Sequence, residues 1–482
     1  MRKLTQSYGR QVKRSRYLDQ IQKAEEAANA HNPYELYRIV RRLAPRQRYQ
    51  TVQIRDEDNS IISHARELEQ LRVHFTKVWS LPTNWKCPTL RSRSDVMSHM
   101  SLQEDIYVPQ TDKLLVCASS IPPYKALPKT HPIAPAFRAV ADLLGQKVLS
   151  LLGREFRKQM PGSWNLTHVA LIPKPGKKVG AISSLRPIGL QDPVAKCYVK
   201  VLADDLKPYA MTYLRRIPQH AYLAYRSTYT AIVQAFDTAP WALLEQALNR
   251  TAAPSDLKGR IMEWITGTTY VLEHRGSRVN IPAERGVRQG CVLSPLLWSL
   301  FTGLIYEEFQ YIVQGSGLSP DIVFFADDKH LGWLLRKPQE LALALEQFGK
   351  FLSLLRSFGL QANPTKSKAI LSMRGSMSQS LRRLWVSLYR GESWLRIPVG
   401  LSNEYIPLVQ QIDYLGIVLS YGRFEDLSWK RRFGVSQASY ERLRKILLGH
   451  HVLSLKHRIQ LWRAVVLSSA CYGLVGVEPI WL

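Results

Sequence analysis

Apolar residues along the chain fall into long blocks with helical spacing, broken by short runs that stay apolar or alternate. In HARELEQLRVHFTKVW, Leu68, Leu71, Phe75 and Val78 recur every three or four residues, which predicts a helix with one buried face. Upstream, LDQIQKAEEAANA and YELYRIVRRLA read the same way, so residues 18–79 are expected to be helical. The period is then lost. Residues 80–136 are rich in Pro and Ser, with SSIPPYKALPKTHPIAPAF the most broken part, and read as a linker or an irregular wrap. A helix is expected from about Ala139 to Phe156. HVALIPKPGKK and AISSLRPIGL then form two short strands around a Pro/Gly/Lys turn. DPVAKCYVKVLADDLKPY predicts an amphipathic helix closed by Pro208, and WALLEQAL and DLKGRIMEWITGTTYVL are read as helical. SRVNIPAERGV suggests strand and turn. SPLLWSLFTGLIYEEFQYIV predicts a long helix with Ser294 as N-cap and Pro295 at its first position. In ELALALEQFGKFLSLLRSFG, Leu341, Leu345, Phe348, Leu352 and Leu355 share a face and Gly359 is the stop. QIDYLGIVLSYG reads as a strand pair, and the last 50 residues as a basic helical bundle. The pattern is α+β, a small sheet flanked by helices.

Within this frame one stretch stands out. In VFFADDKH an apolar strand ends at two adjacent acids, Asp327 and Asp328. A hairpin turn accounts for them, since Asp bonds its own backbone and tolerates turn geometry. A divalent-cation site accounts for them too. Two carboxylates about 5 Å apart repel by roughly 3 kcal/mol at an effective dielectric near 20, and a hard cation such as Mg²⁺ reverses that sign. Asp204 and Asp205 repeat the pair inside a helical pattern. There Val194, Tyr198, Val201 and Leu202 form the buried stripe, and the two acids diverge by about 100°, so they read as a solvated face.

Charge narrows the partners. Of 482 residues, 66 are Lys or Arg against 38 Asp or Glu, a formal +28 and a pI near 9.9. So large an imbalance calls for a polyanion, nucleic acid first. Arg2, Lys3, Arg10, Lys13, Arg14 and Arg16, with no acid among the first 18 residues, read as an arm that touches phosphate. No apolar core follows that arm, and no run of 18 apolar residues occurs, so neither a secretory signal nor a membrane span is expected. Cys87, Cys117, Cys197, Cys291 and Cys471 are scattered without a C-x-x-C pair, which argues against zinc and disulfides and for an intracellular protein, nuclear or cytoplasmic.

Five segments follow one another in a fixed order: LIPKPGKK with LRPIGL, RGVRQGCVLSPLL, FFADD, GLQANPTKSK and YLG. In these motifs the chain resembles the reverse transcriptases of non-LTR (LINE-type) retrotransposons, over about residues 165–475. The resemblance implies a right-hand polymerase fold of palm, fingers and thumb. It implies Asp327 and Asp328 as catalytic metal ligands in a two-Mg²⁺ site, because nucleotidyl transfer needs carboxylates on rigid strands to hold the ions. Lys174 and Arg186 match positions that meet the incoming triphosphate, for which the planar Arg fork is suited. Gln289 and Gly290 match the loop beside the templating pair, where Gly286 and Gly290 permit positive φ or close backbone approach. Asn363 and Lys366 match an N-x-x-K element whose Lys donates a proton to the leaving pyrophosphate. Tyr414, Leu415 and Gly416 resemble the primer grip. RNA template, DNA primer and dNTPs are the implied partners.

One expected residue is missing. The family's palm has a further strand, D-[apolar]-x-x-A-F-D, whose first Asp completes the metal site. Here Gln234-Ala235-Phe236-Asp237 matches its end, but Ala231 stands at the first-Asp position. Only ten positions separate Ser227 from Asp237, so a helix and most of a strand look deleted near residues 228–235. Asp237, at the strand's far end, is expected to point away from the metals, and the loss is expected to leave neighbouring strand edges unpaired. The expected organisation is a basic arm and helical region over 1–80, a Pro-rich linker and helix over 81–164, fingers and a partly truncated palm over 165–425, and a helical thumb over 426–482. No endonuclease or zinc motif is read on either side, so a polymerase module without the parts that nick a target is expected. A decayed copy, an incomplete gene model and a domesticated binder all fit the gap. The functional readings are an RNA-directed DNA polymerase with impaired catalysis, a non-catalytic RNA-binding protein that kept the basic cleft, and an intron-encoded maturase. The last would carry a splicing-associated domain after the thumb.

The charge yields a direct expectation. Affinity for RNA should fall steeply with salt, each neutralised phosphate adding roughly 0.7–0.9 to the slope of log K against log salt. A flat titration would remove nucleic acid as the reason for the charge.

Overall fold

The computed structural model describes residues 160–174, 180–220, 236–325, 328–360, 362, 367–449, 454–472 and 474, most of 53–91, parts of 110–146 and scattered positions between 11 and 39. The Ser63 hydroxyl accepts from the Arg66 amide and opens helix α1 (His64–Trp79), whose Leu71, Phe75 and Trp79 are buried. Helix α2 (Thr111–Ser119) lies inside the stretch expected to be irregular, because TDKLLVCAS carries its own short apolar face. A further short helix, Ala134–Ala139, starts earlier than the sequence suggested, and most of the expected helix to Phe156 lies outside the described residues.

Strands β1 (Leu166–Pro173), β2 (Leu185–Leu190), β3 (Thr269–His274) and β4 (Ser277–Pro282) form one sheet in the order β2-β1-β3-β4. β1 pairs antiparallel with β2 and parallel with β3, so the predicted hairpin sits at one side of a larger sheet. TTYVL was expected to be helical; its β-branched and aromatic residues instead build β3, and the preceding helix stops at Ile265. Helix α1 covers this sheet, with Trp79 stacked on Tyr270 at 3.8 Å between ring centroids.

Helix α3 (Pro193–Leu214) is capped by Asp192, whose Oδ1 accepts from the amides of Val194 and Ala195. It runs through Pro208 rather than stopping there, so that expectation is corrected. Ala203, Leu206, Ala210 and Leu214 are buried on both sides of the proline, and that burial carries the helix past the bond the ring removes. Helices α4 (Trp241–Asn249), α5 (Ser255–Ile265) and α6 (Ser294–Val313) complete the main core with Trp298, Phe301 and Phe309. Ser294 is the first helical residue, not the cap; its hydroxyl donates to the Arg288 carbonyl at 2.8 Å. Asp204 is solvated as expected, but Asp205 pairs with Lys113 of α2.

The hairpin β5 (Asp321–Phe325) and β6 (Asp328–Gly332) forms as predicted, Phe325 opposite Asp328. Helix α7 (Pro338–Ser357) lies between two cores. Phe351 and Leu355 join the main one, while Leu341, Leu345 and Leu352 pack on a second sheet. After α7, Gly359 turns the chain at φ +73°. Helix α8 (Ser378–Trp385) leads into that second sheet, β7 (Val386–Tyr389), β8 (Glu392–Val399) and β9 (Ser402–Pro407). The predicted strand pair is β10 (Gln411–Tyr414) and β11 (Ile417–Ser420), and helices α9 (Phe424–Leu447) and α10 (Leu455–Trp462) follow. Among the described residues no helix is long and apolar enough to cross a membrane.

The α7–β8 packing is testable at one glycine. A Cβ on Gly349 would collide with the Pro398 carbonyl. Gly→Ala inside a helix ordinarily stabilises by about 1 kcal/mol, whereas forcing an atom into a packed contact costs roughly 1–3 kcal/mol. The collision should win, so Gly349→Ala should lower the urea midpoint.

Candidate active site

The loop Arg285–Cys291 is positioned first, because it is tied to everything around it. Gly286 sits at φ +88°, and a Cβ there would lie 2.5 Å from the Asp237 carbonyl oxygen. Its amide donates to the Ala239 carbonyl at 2.7 Å, and Trp241 Nε1 donates to its own carbonyl at 2.8 Å. Gly290, at φ +91°, would bring a Cβ within 3.2 Å of the Gly189 carbonyl. Only glycine fits either position without strain. The Gly189 amide donates to the Gln289 carbonyl at 2.8 Å, so β2 and the loop touch backbone to backbone.

This contact gathers four of the predicted site residues. Arg186 lies on β2 opposite Ile172, half-buried, and its Nε has no acceptor among the described residues. At the end of β1, the Lys174 Nζ donates to the Ser183 carbonyl at 2.7 Å. Gln289 is buried and its Nε2 donates to Asp237 Oδ2. Gly290 receives Lys196 Nζ on its carbonyl at 3.0 Å. Asp237 itself is 3% exposed, and burial pushes its carboxyl up to about 8. The Gln289 hydrogen bond and the Arg285 and Lys174 charges pull the other way and lose.

A second cluster forms around the hairpin. Buried Phe324 anchors β5, 6.3 Å between ring centroids from Phe351 of α7. Asp328 opens β6 beside Tyr414, whose hydroxyl is pushed up to about 12, first by burial and then by the Asp328 charge. The rings of His330 and Tyr414 lie 5.8 Å apart. The FADD hairpin and the YLG turn therefore meet. Leu415 (φ +49°) and Gly416 (φ +91°) make that turn, and a Cβ on Gly416 would strike the Tyr472 ring at 2.9 Å. The two clusters share helix α6: it begins directly after the loop, and its Trp298 ring lies 5.8 Å from Lys329 Nζ.

Asp327, Asn363 and Lys366 lie outside the described residues, as do Lys177, Lys178, Ala231, Gln234 and Ala235. Among the described residues no group of three His, Cys, Asp or Glu could hold a metal ion. The open strand edge expected from the gap is closed at one residue. At Phe324, the strand edge facing away from β6 is paired: Phe324 N donates to Pro218 O and His220 N to Phe324 O, both at 2.8 Å. Residues 218–220 run parallel to β5 at this one bridge and take up the Phe324 backbone groups.

A family model described as reverse transcriptase (RNA-dependent DNA polymerase) matches residues 172–419, which contain both clusters and the turn between them. The chain belongs to this family. Among curated proteins, a probable RNA-directed DNA polymerase from transposon BS of Drosophila melanogaster is 28% identical over 170 residues, 30% of this chain and 18% of that protein. One from transposon X-element of the same fly is 22% identical, covering 65% of this chain and 35% of the relative. A putative 115 kDa protein of its type-1 retrotransposable element R1DM is 24% identical over 40% of this chain and 17% of its own length. The chain thus spans between 17% and 35% of these relatives. As a family member it is similar to the polymerase proteins of non-LTR elements, as the motif order implied.

Sequence reasoning missed the contacts that hold the reverse transcriptase loop. Arg288, 3% exposed, donates to Thr268 Oγ1 and to the carbonyls of Trp164 and Trp264, and lies 3.8 Å over the Trp264 ring. No spacing announces a buried arginine. The Asp237–Gln289 pair was equally hidden, since the two stand 52 positions apart.

Asp237 sets a pH dependence of stability. Its folded value, about 8, lies above the ordinary 3.8, so the folded state holds the proton more tightly than the unfolded chain. That contribution is complete below pH 3.8 and is lost as pH rises toward 8. Asp237→Asn should therefore gain stability relative to the parent between pH 4 and 8 and then level off, read by urea denaturation at each pH. A pH-independent difference would contradict a raised buried carboxyl.

Proposed function

We propose that the chain is the polymerase module of a non-LTR retroelement, an RNA-directed DNA polymerase by descent whose metal site lacks one carboxylate. The observation that carries this is the meeting of dispersed motifs: LRPIGL against RQG, and the FADD hairpin against YLG. In this reading the Arg186 guanidinium and Lys174 bind the triphosphate of an incoming dNTP, and Gln289 and Gly290 shape the floor under the templating pair. Lys366 protonates the leaving pyrophosphate, and the YLG turn presses on the primer end. A divalent ion, usual for the family, would neutralise the charge that develops between attacking and leaving oxygens.

Asp327 and Asp328 suit one end of such a site. Asp237 does not supply the third carboxylate, because it is buried, holds its proton near neutrality and accepts from Gln289. The donor set thus falls short of a two-ion site. The same shortfall favours a second reading, an RNA-binding protein that keeps the cleft without turnover, since binding needs only the charge.

Primer extension on an RNA template with Mg²⁺ separates the readings. Extension by this chain should be undetectable, because losing a metal ligand removes several kcal/mol of charge stabilisation and each 1.36 kcal/mol costs tenfold in rate. Ala231→Asp alone should not restore it, whereas a full family-like segment inserted before Ala235, with its Asp, should. Robust extension by the parent that Asp327→Ala abolishes would show that another acid completes the site.

A further inference from the structure

The second sheet has an outer face that the polymerase reading does not use. Leu395, Ile397 and Val399 of β8 point toward α7 and are buried. Their neighbours Trp394 and Arg396 therefore face the other way. Register places Arg396 opposite Tyr405 of β9, Trp394 between Ser387 and Pro407, and Pro398 opposite Asn403. Trp385, one residue before β7, packs partly buried against that same core, and the Arg396 guanidinium carbon sits 5.1 Å from its ring centroid. At the β7–β8 turn Arg390 takes φ +51° and Gly391 φ +79°, which folds the Arg390 guanidinium back to 5.2 Å from the Tyr389 ring. Tyr389 is 59% exposed and Tyr405 44%.

The result is a face with exposed rings at Tyr389 and Tyr405 around partly buried Trp394 and Arg396, with the Arg390 guanidinium against Tyr389. Between residues 370 and 410 the chain has five arginines and two glutamates. One of these, Glu404, faces α7 and pairs with Arg356, leaving Glu392 beside Tyr389 as the acid of this face. Among the described residues the Arg396 Nε is buried without an acceptor, so the Arg390 guanidinium at the turn is the cation placed to meet a phosphate. Unpaired bases stack on such rings and guanidinium planes whatever their identity, while the cations meet phosphate. Ser387 and Asn403 add polar groups of the kind that meet a ribose 2′-hydroxyl. We infer that the outer face of the β7–β8–β9 sheet is a second nucleic-acid site, a platform for an unpaired RNA strand. Helix α7 lies between it and the FADD hairpin, so it is separate from the polymerase cleft. It holds RNA whether or not the cleft turns over.

The test uses the full chain and an unstructured oligouridylate carrying 4-thiouridine. Irradiation and peptide mapping should find crosslinks within residues 385–407. By fluorescence anisotropy, Tyr389→Ser/Tyr405→Ser should bind the oligomer at least about tenfold more weakly, as the loss of stacked bases implies, with the salt slope unchanged. Arg390→Ser should lower that slope by about 0.7. Crosslinking of the parent needs no variant, so it decides even if a substitution unfolds the sheet. Crosslinks confined outside 385–407 overturn the site, as does parental affinity in a double variant with unchanged thermal melting. So does tighter binding of an oligothymidylate of equal length. A dimer seen by light scattering that the double variant dissolves would make the face a contact for a second copy instead.

Discussion

The loop Arg285–Cys291 is the joint on which the described fold depends. Its backbone threads between β2 and the turn that contains Asp237, a gap with no room for a Cβ at Gly286. Around that passage its side chains act as ties. Arg285 donates to the last carbonyls of α1 at Lys77 and Val78, and so fixes the N-terminal helix to the sheet. Arg288 joins the entry to β1, the end of α5 and the start of β3 through three carbonyl or hydroxyl acceptors. Burial pushes its guanidinium down to about 10, which still leaves it charged at neutral pH, and each nitrogen has an acceptor. A buried charge that kept only two of these partners would cost far more than an apolar side chain. The loop then leads into α6, a largely buried helix whose Tyr306 ring meets Phe324 of the hairpin edge-on.

That joint explains why the two halves of the candidate site differ in character. On the β2 side, Arg186, Gln289 and Gly290 rest on backbone-to-backbone contacts and are fixed by the fold. On the hairpin side, Asp328 is placed by a two-stranded ribbon whose outer edge meets residues 218–220 at Phe324. The β2 half is held by the fold itself. The hairpin half rests on a narrower support.

The sequence made the helices and hairpins legible wherever one face is buried, as in α1, α7 and the β5–β6 ribbon. It misjudged elements where tertiary burial overrides local preference. Pro208 inside α3 is tolerated because apolar residues on both sides are locked in the core, and β3 was hidden behind a helix that ends four residues earlier. The site motifs were readable as a resemblance, but the contacts of LRPIGL with RQG and of the hairpin with YLG came from the fold. Two things could not be read: that Asp237 would be a buried neutral acid bound to Gln289, and that the second sheet would line up aromatics and arginines on one face. Both arise from register between distant segments, which periodicity along a single segment does not encode.

We propose that the carboxylates of this chain do not suffice for two catalytic ions. Titration with Mn²⁺, followed by its paramagnetic signal, reads that claim without needing turnover. The account predicts weak binding in the millimolar range, reduced by Asp327→Ala and unaffected by Asp237→Asn. Two ions bound at micromolar concentration, with one of them lost on Asp237→Asn, would contradict it.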